Sequence, residues 1–190
     1  MNLRLSFISL LALSSTAFVW SARAQQVTGV DVAKSDIRFV TKQMNVPVEG
    51  KFRKFSAQLD FDPAKLASSK AQIEVDLGSI DTGSSEADSE VKGKAWFNLP
   101  VFPTAKFVST GLKSLGGGRY EAAGKLTIKG KTFDVIAPFI TKQEGTATVF
   151  DGGFTLLRLQ FGIGEGPWSD TETVANEVQV RFKLTGLTKK

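Results

Sequence analysis

The chain contains no histidine and no cysteine. That removes the Ser-His-Asp and Cys-His nucleophile systems and the usual ligands for zinc, copper and haem. Any catalysis would rest on carboxylates, lysine, tyrosine or serine. One string invites such a reading: Ile80-Asp81-Thr82-Gly83-Ser84, the Asp-Thr-Gly arrangement by which acid proteolysis presents a catalytic aspartate. That chemistry needs two aspartates close enough to share a proton, and the string occurs once, so only a dimer could assemble the pair. The reading favoured here is a turn. Asp81 and Ser84 would bond the local backbone and Gly83 would supply an unusual dihedral angle. Glu165 and Asp170 flank Trp168 and could line an opening, but glycoside hydrolysis requires two acids converging on one cleft. Gly162-x-Gly164-x-Gly166 lacks the Lys-Ser/Thr and the following helix of a phosphate-binding loop. No catalytic residue and no metal site is assigned.

The elements around these residues are strands. Period-two alternation of apolar and polar residues dominates. Phe55, Ala57, Leu59 and Phe61 share one face, as do Ala71, Ile73, Val75 and Leu77. Tyr120, Ala122, Gly124, Leu126 and Ile128 form another such set, followed by Phe133, Val135, Ala137 and Phe139, and by Val178, Val180, Phe182 and Leu184. A run from Phe154 to Phe161 is partly apolar on both faces. Turns are expected at Asp62-Pro63, Gly116-Gly117-Gly118, Lys129-Gly130-Lys131 and Asp151-Gly152-Gly153. About eight short, turn-punctuated strands predict an all-β sandwich or barrel. Ser84 or Ser85 can cap a helix within Ser84–Ala95, its acids early and Lys92 and Lys94 late. A second short helix is expected over Ser169–Ala175.

The first 24 residues have the three-part form of a secretory signal: Arg4, an apolar stretch from Leu5 to Trp20, and Ala22-Arg23-Ala24 before the cut. Export to the periplasm with cleavage after Ala24 is expected, leaving one domain over residues 25–190. Losing Arg4 and Arg23 lowers the formal net charge of +5 by two. The remaining basic residues are interleaved with acids, so no nucleic-acid partner is expected. Without cysteine the domain must hold by packing and sheet hydrogen bonds alone.

The phenylalanines recur on strand faces beside small residues such as Ala57, Ala105, Ala122, Gly124 and Ala137. A barrel of about eight strands is just wide enough to be filled by side chains or to hold one small ligand. Both outcomes stay open at this point. One is a closed core serving a structural or stress-response interaction module. The other is an apolar cavity suited to a long hydrocarbon.

Short phrases in order then resemble a known family. These are Ser35-Asp36-Ile37-Arg38-Phe39, Val48-Glu49-Gly50-Lys51-Phe52 with Phe55, Phe61-Asp62-Pro63 and Ser79-Ile80-Asp81-Thr82-Gly83. Phe102-Pro103-Thr104-Ala105-Lys106-Phe107, Gly117-Gly118-Arg119-Tyr120, Leu126-Thr127-Ile128-Lys129-Gly130 and Phe161-Gly162-Ile163-Gly164 with Trp168 complete the set. Together they resemble the YceI-like proteins over roughly Val30 to Leu184. The resemblance implies a periplasmic, extended, antiparallel lipocalin-like barrel with one or two short helices. It implies a non-enzymatic protein that binds an isoprenoid lipid or isoprenoid quinone in an internal channel, with no other cofactor. Phe39, Phe107, Phe133, Phe161 and Trp168 are the expected lumen residues. Many members carry a histidine where this chain has Gln43-Met44-Asn45-Val46, and a Phe-Phe-Asp phrase where it has Trp96-Phe97-Asn98. Gln43 and Asn98 are therefore the candidate head-group contacts, by hydrogen bonds to a quinone carbonyl or an alcohol. Transient membrane contact and a homodimer are compatible with this reading.

Overall fold

The computed structural model describes residues 26–188; the expected export signal, 1–24, lies outside them. Ten antiparallel strands form one curled sheet. They are β1 (Val27–Gln43), β2 (Val46–Phe52), β3 (Phe55–Asp60), β4 (Lys70–Asp76), β5 (Ile80–Asp81), β6 (Thr104–Gly116), β7 (Arg119–Ile128), β8 (Lys131–Glu144), β9 (Ala147–Leu157) and β10 (Glu177–Thr188). Their order across the sheet is β3-β4-β6-β7-β8-β9-β10-β1-β2-β5. Among the described residues, a single helix α1 (Ser85–Glu90) and four short 3-10 turns complete the elements. The all-β, lipocalin-like expectation holds, with ten strands curling into a half-barrel rather than about eight.

Two-residue turns set the register of the long hairpins. Met44 and Asn45 both take positive φ (49° and 64°), as do Lys129 and Gly130 (49° and 73°). That geometry matches the right-handed twist of the flanking strands. A register shift in β1 between Asp31 and Asp36 bends the strand. Buried Thr185 holds the irregular stretch by donating its hydroxyl to the Lys34 carbonyl (2.8 Å) and its amide to Ser35 Oγ (2.9 Å). The bend carries Val27 to the far edge of the sheet. There it exchanges two 2.9 Å backbone hydrogen bonds with Phe61, just beyond β3.

The expected inward faces are the observed ones for β3, β4, β7 and β10, and for β8 at Val135, Ala137 and Phe139 but not at Phe133. Three local expectations fail. Asp151-Gly152-Gly153 is no turn; it lies inside β9, because a Cβ on Gly152 would collide with the Pro138 carbonyl and the Phe139 and Phe182 side chains. The glycines there permit close strand approach instead. The helix after Ser84 stops at Glu90, so Lys92 and Lys94 lie beyond it. Ser84 caps it, accepting from the Ala87 amide (3.4 Å). Residues 169–175 form turns, and the nearby 3-10 segments are Arg158–Phe161 and Gly166–Ser169.

The interior divides into two clusters. One surrounds Phe61, whose ring meets Tyr120 (5.2 Å) and Phe150 (5.1 Å) edge-on and Phe139 at 6.3 Å. Val27, Leu59, Ala122 and Leu184 pack into the same group, which fills its half of the barrel. The other cluster, with Leu77, Ile80, Ala105, Leu126 and Leu156, lines a hollow. Phe61 is 2% exposed at the centre of the filled half. Phe61→Ala should therefore destabilise the domain by about 3–5 kcal/mol, read as a lowered urea midpoint at unchanged slope.

Candidate functional site

The hollow half holds an open-sided cavity of about 540 Å³. Such volumes suit a small or medium-sized organic ligand, and its wall is overwhelmingly apolar, as ligand pockets generally are. Strand faces build it: Ile37 and Phe39 from β1, Ile73 and Val75 from β4, Ala105 and Phe107 from β6, Leu126 and Ile128 from β7, and Val178, Val180 and Phe182 from β10. Two rings owe their place to glycines. A Cβ on Gly50 would overlap the Phe39 ring, and one on Gly124 would overlap Phe107. Both rings therefore lie against the sheet wall, and the lumen stays wide beside them. Thr41, Gln43, Thr82, Glu86, Glu90, Lys106 and Arg158 supply the polar part of the border.

Buried Arg158, at the end of β9, organises one side of this cavity. It is 1% exposed and spends all five N–H donors on backbone carbonyls. Nε donates to Ala175 (3.1 Å), Nη1 to Ile163 and Gly164 (2.9 Å each), and Nη2 to Trp168 and Val174 (2.7 Å each). Burial pulls the guanidinium below its ordinary value, while the charge of Asp170 opposes the shift; a guanidinium remains charged under both influences. Gly162 and Gly164 take φ of +71° and +75°, and a Cβ on Gly164 would strike Arg158 Nη1. The Gly-x-Gly-x-Gly stretch is thus a cradle for an arginine. Nothing in the isolated run Phe154–Phe161 announced this role except one charge inside an apolar stretch.

The loops that Arg158 holds carry two indoles. Trp96 and Trp168 lie 5.5 Å apart, and the guanidinium sits over the Trp96 ring at 5.7 Å. Trp168 Nε1 donates to Glu90 Oε1 (2.9 Å), tying the loop to the end of α1. Amides of Gly164 and Glu165 both donate to the Ala95 carbonyl (2.9 and 2.8 Å). Lys129 adds a second tie, donating to the Gly162 carbonyl (2.5 Å) and to Glu165 Oε2 (3.0 Å).

Of the expected lumen residues, Phe39, Phe107 and Trp168 border the cavity, and so does Gln43. Phe161 does not. The chain leaves β9 at Leu157 and enters a 3-10 turn, so period-two alternation no longer applies, and the ring is packed into the core at 1% exposure. Phe133 stands edge-on to Phe161 at 5.0 Å, near the outer end of β8, and is 37% exposed. Asn98 is a turn residue with φ of +51°, a conformation Asn tolerates. Its amide donates to Gly93 (2.8 Å) and its carbonyl accepts from Val101 and Phe102. Residues not anticipated at the border include Trp96 and Arg158.

The acids considered for catalysis are engaged elsewhere. Asp81 pairs with Arg53 (2.8 Å) and accepts from the Gly83 amide (3.2 Å), contacts that hold its carboxyl below the usual range. Gly83 has the positive φ (82°) expected of that turn. Glu165 is held low by Lys129, and Asp170 by the Thr173 hydroxyl. A general acid would need the opposite shift. Among the described residues no group of three or more potential metal ligands converges, and no helix is long and apolar enough to cross a membrane.

Comparison with known proteins gives a consistent picture. The model of the YceI-like domain family matches residues 29–186. A crystal structure of Burkholderia cenocepacia BcnA superposes with a TM-score of 0.81 at 47% identity, covering 83% of this chain and 99% of that one. A UPF0312 protein of Azotobacter vinelandii is 31% identical over 144 residues, 73% of each chain. A polyisoprenoid binding domain from Saccharophagus degradans shares the fold, with a TM-score of 0.67 at 14% identity over 87% of this chain and all of that one.

The arginine cradle is testable directly. Arg158→Met strands five buried carbonyls and should cost about 3 kcal/mol or more. Loss of the near-ultraviolet circular dichroism of Trp96 and Trp168 should accompany the lowered unfolding midpoint.

Proposed function

Because the chain belongs to the YceI-like family, we propose that it is a non-catalytic carrier of one isoprenoid chain, a polyprenol or an isoprenoid quinone. The observation that carries this reading is the open-sided apolar cavity of about 540 Å³ in the half-barrel. Each methylene moved from water into such a lining contributes about 0.8 kcal/mol. Part of that gain is offset by lost translational freedom, so a branched hydrocarbon several units long has ample driving force. The Saccharophagus degradans relative, a polyisoprenoid binding domain, agrees with it. A solidly packed interaction module fits less well, because only the half around Phe61 is filled. Asp81, Glu165 and Asp170 are each engaged by local partners and shifted away from the direction a general acid needs.

Export to the periplasm belongs to the same proposal, since the ligand must be met at a membrane surface. The β1–β2 hairpin offers a means. Met44 and Val46, 73% and 63% exposed at its tip, stand next to Gln43 and Val48 of the cavity border. An apolar tip beside the cavity would let the barrel touch a bilayer as a chain passes across.

Intact mass spectrometry of protein isolated gently from the periplasm should give a chain beginning at Gln25 with one extractable prenyl lipid bound. A clean ligand-free mass, unchanged after exposure to quinones and polyprenols of several lengths, would remove the carrier reading. Ala105 is small, buried and borders the cavity, so Ala105→Phe should lower prenyl-ligand affinity about tenfold or more. Replacing both tip residues, Met44→Asp with Val46→Asp, should slow ligand uptake from vesicles while leaving affinity for detergent-solubilised ligand unchanged. Equal uptake rates would dismiss the hairpin as the membrane contact.

A further inference from the structure

Strand register sets which charges stand opposite one another on the outer face of the sheet. Arg38 of β1 faces Arg181 of β10 on one side and Lys51 of β2 on the other. Ile37 and Phe39, its neighbours in β1, line the cavity, so this row lies on the sheet's other surface. Adjacent strands are about 4.8 Å apart, which places the three cations within a span of about 10 Å. Like charges directly opposite each other destabilise a sheet. In the described ladders every other pair of charged residues directly opposite has mixed signs, as Asp36 with Lys183, Glu74 with Lys106 and Lys113 with Glu121 do. The rule is broken twice, both times at Arg38, and departures of that kind are expected at functional sites.

The row borders an open groove of about 330 Å³, where Arg38, Lys51 and Arg181 stand around Val40 and Gly50. The cations keep donors free there. Arg38 commits Nε to Asp36 (2.8 Å), and its two Nη groups have no partner among the described residues. Lys51 lies 3.7 Å from Asp81, but that carboxylate is held more closely by Arg53 (2.8 Å). Among the described residues Arg181 forms no ion pair, and its Nη2 reaches Gln179 Oε1 at 3.4 Å. The Arg38 and Lys51 side chains are 62% and 54% exposed, so their free donors open to solvent. Of the acids nearby, Asp36 and Asp81 are already paired, which leaves Glu49 at the groove's side. Three cations thus face one unpaired carboxylate.

We infer that this outer groove binds a phosphate-bearing anion with two or more negative charges, either free diphosphate or the paired phosphates of a phospholipid head. The two guanidinium forks match phosphate oxygens in pairs, and Lys51 adds a point charge at the end of the row. One phosphate group can bridge two neighbouring cations, but a row about 10 Å long needs two to engage all three. A singly charged carboxylate leaves most of the repulsion in place. The bound anion neutralises a row that the free protein holds at a cost, so occupancy raises folding stability as well. The site needs no cargo in the cavity.

Two probes separate the sources: sodium diphosphate in solution, and phosphatidylcholine vesicles with or without cardiolipin. Calorimetry at fixed ionic strength should find one diphosphate site on the purified protein. Arg38→Gln should weaken it about tenfold or more. Lys113→Gln removes the same charge from a distant strand and should leave it unchanged. Diphosphate should also raise the urea midpoint of the wild type and not that of Arg38→Gln. Binding to the cardiolipin vesicles that Arg38→Gln abolishes would assign the site to a lipid head, and binding of diphosphate alone would assign it to a soluble anion. Either result supports the groove. No binding of diphosphate or cardiolipin would overturn it, as would equal weakening by Lys113→Gln. An equal rise in midpoint with sodium chloride at matched ionic strength would overturn it too, since screening alone would then explain the effect.

Discussion

The guanidinium of Arg158 is the constraint on which the cavity's architecture depends. A charge at 1% exposure is expensive unless every donor is satisfied, and here satisfaction comes from five carbonyls on segments outside the ten strands. Residues 163–164, 168 and 174–175 converge because one planar fork requires acceptors in those directions. The same convergence brings the amides of Gly164 and Glu165 onto Ala95 and so fixes the two indoles at the cavity wall. A carboxylate partner would have tied the arginine to one point. Backbone carbonyls make it a hub for irregular chain that a ten-stranded sheet could not otherwise cover.

A second constraint is spatial. Sheets curl most readily where glycine removes a side chain, and here the vacated space is occupied by a ring from a neighbouring position, Phe39 over Gly50 and Phe107 over Gly124. A ring laid on glycine covers the backbone and contributes apolar wall without reaching across the lumen. In the other half, Phe61 comes from the far edge of the sheet and projects among Tyr120, Phe139 and Phe150. Rings that follow the wall leave a hollow, and rings that meet at the axis close it.

Regular strands were legible because alternation is a local signal, and inward faces such as Tyr120–Ile128 follow from it directly. The failures occur where one residue type serves two physical purposes. Glycines at 152 and 153 resemble a turn but permit close strand packing, whereas Met44-Asn45 makes a turn without glycine. Phe161 reads as a lumen residue only if a period of two continues past Leu157, where the chain changes to a 3-10 turn. The role of Arg158 leaves no sequence signal because its partners are carbonyls, which every residue carries and no sequence pattern marks.

Trp96 marks the limit of that legibility. Its type alone suggests another core aromatic, and its burial would agree. What distinguishes it is the lack, among the described residues, of an acceptor for its N–H, which depends on the positions of elements far apart in the chain: the segment after α1, the loop on Arg158 and the inner face of the sheet. An apolar lining sets how much hydrocarbon can be buried but is nearly indifferent to which hydrocarbon it is.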